Sequence, residues 1–228
     1  MKRSYINEII RDAERFYTKH NFNLPPFAFW SLADWQKNRD QCREIFDCFL
    51  GWDTTDFGRG NFDREGLLLF TVRNGAIDNC NYSKPYAEKI MIVREQQLTL
   101  MHCHLQKTED IINRGGGNLC FQLYSREGER GICKTGTVSF SQDGQRRTVP
   151  AGSVITLFPG ESLTLQPEMF HSFWGQPDHG PVLVGEVSAV NDDHCDNVFY
   201  EPQLRFPEIE EDEEPYRLLV GDYTKFVL

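Results

Sequence analysis

Two histidines and a glutamate lie close together in the segment TLMHCHLQKTEDIINRGGG, residues 99–117. His102 and His104 are separated by one residue, so on a β-strand both imidazoles point to the same face, about 7 Å apart along the chain. Imidazole nitrogens and carboxylate oxygens are ligands for divalent transition metals. The segment is therefore a candidate metal site, although two half-exposed histidines on a strand would give the same pattern.

Glu109 follows His104 by five residues, so in one straight strand it would point to the opposite face. A turn or bulge must intervene, or Glu109 must begin the next strand. A fourth ligand has to come from a distant part of the chain. His171 is the best placed, because it ends the alternating segment SLTLQPEMFH. The other histidines fall at a helix end or in turn sequences: His20, His179 and His194.

Helices are predicted only in front of this region. Apolar residues recur at spacings of three and four in residues 4–20, which predicts an amphipathic helix. Ser31 and Asp34 resemble a capping box that opens a second helix running to about Phe49. The segment GWDTTDFGRGNFDREG, residues 51–66, has no periodicity and is expected to be a connection.

From residue 66 the chain reads as about nine short strands punctuated by turn residues. Asp143-Gly144 lies between TVSFSQ and QRRTV, which is a strong hairpin signal. The pattern predicts an all-β sandwich or barrel with an N-terminal helical layer. We expect residues 1–65 to be a helical extension packed outside and residues 66–228 to be the barrel with an acidic C-terminal segment, in one structural domain.

Composition excludes several classes of protein. The net charge of −10 and the pI near 5.1 argue against a nucleic-acid partner and against an anionic membrane surface. The sequence has no run of about 18 apolar residues, so no membrane span is predicted. The N-terminus does not resemble a signal peptide. The seven cysteines are odd in number and lack CxxC spacing, which favours reduced thiols. We therefore expect a cytoplasmic protein.

The histidine segment resembles a known motif. His102-x-His104-x4-Glu109-x6-Gly116 is similar to the first motif of the cupin superfamily, and QPEMFH, which ends at His171, is similar to the second. The second motif normally reads PxGxxH, and here it lacks the glycine and has its proline one position late. The resemblance implies a jelly-roll (double-stranded β-helix) that holds one divalent metal through His102, His104, Glu109 and His171.

A wider resemblance covers nearly the whole chain. The segments LPPFAFW, LGWDTTDFGRG, KIMIVREQQLTLMHCHLQKTEDIINRGGG, GEVSAVNDDHCDNVF and RFPEIEEDEEP together are similar to the D-lyxose isomerase family. This resemblance implies an enzyme that interconverts D-lyxose and D-xylulose, and also D-mannose and D-fructose, through an enediol(ate). It implies manganese, although zinc, cobalt and iron suit the same donors. A cupin dioxygenase and a non-catalytic sugar-binding cupin are the alternatives.

Isomerisation needs an acid and a base that do not ligate the metal. Lys107 lies between two of the candidate ligands, where its ammonium could stabilise negative charge, although a surface lysine is the alternative. Glu201 could fold over the mouth of the barrel, or it could be a solvated loop residue. Glu186 interrupts an apolar strand and needs a partner, which a barrel interior would supply. We assign Lys107 and Glu201 as the acid/base pair.

Sugar binding needs hydroxyl partners and an apolar wall. Asp192, Asp193 and Arg205 are candidates for the hydroxyl groups. Candidates for stacking, which as aromatic residues usually belong to the core, are Phe29, Trp30, Trp52, Phe173 and Trp174. By analogy with jelly-rolls that pair through sheet edges, we expect a homodimer.

Overall fold

A computed structural model describes residues 1–192, 195–204 and 208–228 of the chain. Its helices are α1 Arg3–Lys19, α2 Leu32–Asn38, α3 Arg43–Asp47 and α4 Tyr223–Phe226, with short 3-10 turns at Pro26–Phe29, Arg39–Gln41 and Val220–Asp222. The strands are β1 Gly51–Thr55, β2 Leu67–Arg73, β3 Tyr86–Val93, β4 Thr99–His104, β5 Glu109–Gly116, β6 Leu119–Glu127, β7 Gly131–Cys133, β8 Thr137–Gln142, β9 Gln145–Pro150, β10 Val154–Leu157, β11 Ser162–Leu165, β12 Met169–Gly175, β13 Val182–Ala189 and β14 Asn197–Phe199.

The strands form two antiparallel sheets that face each other. The larger sheet has the order β1-β2-β3-β13-β5-β11-β8-β9, and the smaller has β10-β6-β12-β4-β14 with β7 beside β6. The predicted hairpin is confirmed, since β8 and β9 pair around Asp143 and Gly144, whose φ angles are +50° and +77°. The all-β jelly-roll prediction is confirmed by this topology.

Alternation along the strands of the larger sheet divides the apolar residues between two cores. Leu69 and Met91 point inward and pack against residues of the smaller sheet such as Phe121. On the outer face, Leu68 and Phe70 pack against α1. The predicted helical stripe is confirmed, because the α1 side chains at helical spacing are buried there: Ile6, Ile9, Ile10, Ala13 and Tyr17.

The second predicted helix is shorter than expected. Its capping box is confirmed, since Asp34 N–H donates to Ser31 Oγ at 3.2 Å and Ser31 N–H donates to the Asp34 carboxylate at 2.9 Å. The helix nevertheless ends at Asn38, whose side-chain amide donates to the Asp34 carbonyl at 2.8 Å and competes with the backbone ladder. Phe49, the expected end of this helix, lies beyond α3 and is 53% exposed.

A strand that the sequence did not reveal lies inside the expected connection. All five residues of β1, Gly51–Thr55, are buried, and the Trp52 indole N–H donates to the Ala28 carbonyl at 2.9 Å. Because β1 is covered on both faces, its sequence does not alternate between polar and apolar residues. The sequence also did not reveal β5, β7 and β14 as separate strands.

The acidic C-terminal segment lies across the start of α1. Asp212 accepts hydrogen bonds from Ser4 N–H at 2.9 Å and Ser4 Oγ at 2.7 Å. The fully buried Arg3 guanidinium contacts Glu211 at 2.8 Å and Asp222 at 2.7 Å. The carboxylates therefore compensate the unpaired N–H groups of the first helical turn and a buried cation. None of the described helices is both long and apolar enough to cross a membrane.

Candidate active site

Three histidines converge on the inner face of the smaller sheet. His102 on β4 lies opposite His171 on β12 in the strand register, and their ring centroids are 4.2 Å apart. His104 lies two residues further along β4 on the same face. One ring nitrogen from each of the three residues lies within 4.8 Å of the others. The pairing of β4 with β12 thus brings two remote sequence segments to one point.

Glu109 reaches the same point from the larger sheet because it is the first residue of β5. This was one of the two arrangements expected from its spacing. The preceding turn is fixed by Asp196, whose carboxylate accepts the backbone N–H groups of Leu105, Gln106 and Lys107 at 2.9, 2.8 and 3.2 Å. Oε1 of Glu109 lies 3.3 Å from Nε2 of both His104 and His171.

The ionisation of these side chains suits metal binding. Burial lowers the pKa of His171 to about 4, and burial together with the neighbouring imidazoles His171 and His104 lowers the pKa of His102 well below its usual value. Burial alone would raise the pKa of Glu109, but the ammonium of Lys107 and the imidazole of His104 hold it well below its usual range. His102 and His171 therefore offer neutral imidazoles, and Glu109 offers an ionised carboxylate, as metal ligands require.

The hydrogen bonds of the rings also fit a divalent cation. Nδ1 of His102 lies 2.7 Å from the Leu100 carbonyl, and Nδ1 of His171 lies 3.0 Å from the Met169 carbonyl. Since these carbonyls only accept, Nδ1 carries the proton and Nε2 keeps its lone pair for a ligand bond. Three nitrogens and one carboxylate in a buried cluster are a suitable donor set for zinc, manganese, iron or cobalt.

A charged cluster adjoins the histidines on the inner face of the larger sheet. Nζ of Lys107 lies 2.8 Å from Oε2 of Glu109 and 2.8 Å from Oε1 of Glu186 on β13. Lys89 on β3 lies directly opposite Glu186, with its Nζ 3.5 Å from the same Oε1. Both lysines donate to Oδ1 of Asn191, at 2.7 Å from Lys89 and 3.2 Å from Lys107. The expectation that Glu186 has a partner in the interior is confirmed.

The three histidines line one narrow cavity between the sheets together with Glu109, Glu186 and Lys89 of the charged cluster. Its apolar walls include Phe57, Phe173 and Phe199, and the rings of Phe57 and Phe199 meet edge to face at 5.9 Å. Of the aromatic residues considered for sugar stacking, Phe173 lines this cavity. Trp52 belongs to the core under α1, Trp30 packs near α2, and Phe29 is 44% exposed.

Glu201 is not brought to this cavity. Its side chain is 68% exposed, and its carboxylate forms an ion pair with Arg59 at 2.9 Å. It lies just beyond β14, whose last residue pairs with His102, so it is close to the cavity mouth along the chain. Asp192 lines a separate cavity beside Asn74. Asp193 and Arg205 lie outside the residues that the structure describes.

The departure in the second motif has a structural explanation. Glu168 occupies the position three residues before His171, where the cupin motif has glycine, and its φ is +65°. Glycine adopts this left-handed conformation without steric cost, whereas glutamate adopts it only at a steric cost. Glu168 N–H donates to the His104 carbonyl at 2.7 Å, and its carboxylate pairs with Arg126 at 2.6 Å. The backbone geometry of the motif is therefore kept without its glycine.

Four residues of the cavity and the charged cluster were not identified from the sequence: Lys89, Asn191, Phe57 and Phe199. Lys89 had a usable signal, because it shares the inward face of β3 with Met91 and Val93, where a charged residue needs a partner. Asn191 follows β13 in a polar stretch that reads as an ordinary turn. Phe57 lies in the glycine-rich connection and has a φ of +55°, so no strand pattern marks it.

Comparison with known proteins decides the family. The sequence profile described as D-lyxose isomerase matches residues 1–223. The chain belongs to the D-lyxose isomerase family. It is therefore an enzyme and a sugar isomerase, as the resemblance of its motifs implied. This membership argues against the alternatives of a cupin dioxygenase and a non-catalytic sugar-binding protein.

Two relatives within the D-lyxose isomerase family match the full chain. The D-lyxose/D-mannose isomerase of Serratia proteamaculans is 50% identical over 228 residues, which is 100% of both chains. The D-lyxose/D-mannose isomerase of Escherichia coli O157:H7 is 48% identical over 227 residues, or 99% of this chain and 100% of that one.

Solved structures support the fold. A mutant L-ribose isomerase of Acinetobacter sp. DL28 in complex with L-ribose superposes with a TM-score of 0.61 at 16% identity, covering 92% of this chain and 98% of that one. The L-ribose isomerase of Cellulomonas parahominis without ligand gives a TM-score of 0.59 at 15% identity with the same coverage. At this identity the similarity concerns the fold alone.

Proposed function

We propose that the enzyme interconverts D-lyxose with D-xylulose and D-mannose with D-fructose. The observation that carries this proposal is a buried pair of acid/base groups, Lys107 and Glu186, of which Glu186 lines one cavity together with the three histidines and Glu109. The full-length relatives named D-lyxose/D-mannose isomerase support the choice of sugars. D-lyxose and D-mannose have the same configuration at C2, C3 and C4, so one pocket can orient the reacting end of both.

We propose that His102, His104, Glu109 and His171 hold one divalent cation. Their donor set, their burial and the protonation of the rings support this assignment. Such a cation, when bound, would polarise the sugar oxygens O1 and O2 and orient the substrate.

Glu186 is proposed as the general base. An ionised carboxylate takes the proton from C2 of the open-chain aldose, and the electron pair of that C–H bond forms the C1=C2 bond of the enediolate. The resulting carboxylic acid returns the proton to C1. Lys107 accompanies this transfer: its ammonium stabilises the negative oxygen and moves a proton from O2 to O1. Starting material and product then differ only in the positions of two hydrogens.

The experiment compares Glu186→Gln with the wild type in ketose formation from D-lyxose and D-mannose. Glutamine keeps the size of the side chain and can still accept from Lys107, but it cannot take a proton. We expect kcat to fall about 100-fold or more with KM and bound metal nearly unchanged. Wild-type kcat in this variant would remove Glu186 as the base.

Glu201, the base assigned from sequence, stays a prediction that the same assay tests. Its exposed position and its pairing with Arg59 favour Glu186. We therefore expect Glu201→Gln to keep kcat within about 3-fold of wild type, since exposed ion pairs contribute little. A large loss of kcat in Glu201→Gln together with normal activity in Glu186→Gln would assign the base to Glu201.

Manganese as the cation, a homodimeric assembly and a cytoplasmic location are further proposals. Manganese and the homodimer rest on the resemblance to the family and the fold. The cytoplasmic location is supported by the seven cysteines, which are all free thiols. Metal analysis of the purified enzyme and light scattering test the first two.

A further inference from the structure

Lys89 is a buried lysine that the proposed acid/base pair does not use. It is 4% exposed and projects from the inner face of β3, where its neighbours along that face, Met91 and Val93, are apolar. A buried ammonium is strongly disfavoured unless carboxylates or other acceptors compensate it. Here the compensation comes from Glu186 and Asn191.

The contacts of Lys89 converge on the oxygen that Lys107 also contacts. Oε1 of Glu186 lies 2.8 Å from Nζ of Lys107 and 3.5 Å from Nζ of Lys89. Two ammonium groups on one carboxylate oxygen fix the rotation of the carboxylate. Lys107 alone would divide its contacts between two carboxylates, because its Nζ also lies 2.8 Å from Oε2 of Glu109.

Asn191 holds both lysines in place. Its Oδ1 accepts from Lys89 and Lys107, while its backbone exchanges hydrogen bonds with the side chain of Asn74. Asn191 N–H donates to Asn74 Oδ1 at 3.0 Å, and Asn74 Nδ2 donates to the Asn191 carbonyl at 3.0 Å. Asn74 is itself buried, so the acceptor for the two ammonium groups has a fixed position.

We infer that Lys89 is a positioning residue for the reaction, which acts by holding the Glu186 carboxylate oriented beside Lys107. This inference rests on the proposed role of Glu186. Lys89 itself exchanges no proton with the sugar. Its removal should therefore reduce turnover through Glu186 and leave the metal ligands intact.

The test is a double-mutant cycle of Lys89→Met and Glu186→Gln, measured as kcat and KM with D-lyxose. We expect Lys89→Met to lower kcat 10- to 100-fold with KM and bound metal within about 3-fold of wild type. In the Glu186→Gln background, the same substitution should change kcat less than 3-fold, because the group through which it acts is gone. Lys89→Arg, which keeps the positive charge, should recover at least part of the loss.

The cycle has a matched control variant and a substitute for Lys89→Met. Lys134→Met, at an exposed position, is the matched control and should leave kcat unchanged. If Lys89→Met does not fold, Lys89→Gln takes its place in the same cycle. An equal loss of kcat in both backgrounds, or no loss in either Lys89 variant, would overturn the positioning role. The Glu186→Gln variant alone tests the base, so the two proposals fail separately.

Discussion

His102 and His171 show how single residues in the barrel depend on their surroundings. Burial lowers the pKa of both imidazoles, that of His171 to about 4 from a usual value of 6.5. In the unfolded chain the same rings bind protons near pH 6.5. Between these values the unfolded state carries more protons than the folded state, so acid favours unfolding. The burial that keeps these rings neutral, as a metal requires, thus lowers the stability of the folded protein in acid.

The stability of metal-free protein should therefore fall as the pH drops from about 6.5 towards 4.5. For His171 alone the free energy of unfolding should decrease by about 3 kcal/mol if the whole interval down to pH 4 is crossed. Glu109 does not offset this loss of stability. Its pKa in the folded state is held well below its usual range, so it too binds protons less readily in the folded than in the unfolded chain. Urea unfolding in the presence of a chelator, at pH values from 8 to 4.5, measures the slope.

His171→Gln provides the comparison, because glutamine does not titrate. The variant should show a shallower decrease in unfolding free energy over the same pH interval. His102 accounts for part of what remains, and carboxyl groups with a lowered pKa, such as Glu211, add to it near pH 4.5. An identical slope in wild type and His171→Gln would contradict the assignment of this pH dependence to His171.

At the scale of elements, the turn between β11 and β12 positions the last candidate ligand. Glu168 holds a φ of +65° there, and its N–H donates to the His104 carbonyl at 2.7 Å, which ties the turn to β4. A non-glycine residue in this conformation costs about 1–2 kcal/mol. His171, which lies opposite His102 on β4, follows Glu168 by only three residues. The turn therefore sets the register in which β12 begins beside β4.

We expect Glu168→Gly to be more stable than Glu168→Ala by about 1 kcal/mol in free energy of unfolding. Both substitutions remove the ion pair with Arg126, so their difference isolates the left-handed backbone. Thermal and urea unfolding of the two variants measure it. Equal stability, or a more stable alanine variant, would show that Glu168 is not strained.

At the scale of the whole molecule, the two ends of the chain are joined beside the barrel. The guanidinium of Arg3 is buried between Glu211 and Asp222, and the outer face of the larger sheet packs on α1. We propose on this basis that the helical extension and the barrel unfold as one structural domain. The cavity of the candidate active site lies on the opposite face of the same sheet, so it depends on this packing indirectly.

Arg3→Met should lower the free energy of unfolding by about 3–5 kcal/mol, because it leaves Asp222 buried without its cation. Arg15→Ala is the control, since Arg15 forms an exposed ion pair with Asp12 and should change stability by less than about 1 kcal/mol. Unfolding followed by both tryptophan fluorescence and circular dichroism should give one transition. Two separate transitions would divide the chain into independent units.

Much of this architecture is predictable from local patterns. The stripe of α1, the capping box of Ser31 and the hairpin at Asp143-Gly144 are each encoded within a few residues, where helical spacing, a side-chain cap or a left-handed turn acts directly. The segment around His102 and Glu109 likewise predicts a metal site, because its residue types and spacing resemble a known motif. These features need no knowledge of distant contacts.

Only the tertiary structure decided which carboxylate lies beside Lys107. The sequence favours Glu201 over Glu186, but the pairing of β13 with β3 and β5 buries Glu186 in the cavity, while Glu201 lies exposed beyond β14. The same pairing places Lys89 opposite Glu186. Strand neighbours in a jelly-roll are remote in the chain, so local sequence carries no record of their register, and the charged cluster exists only once the sheet has formed.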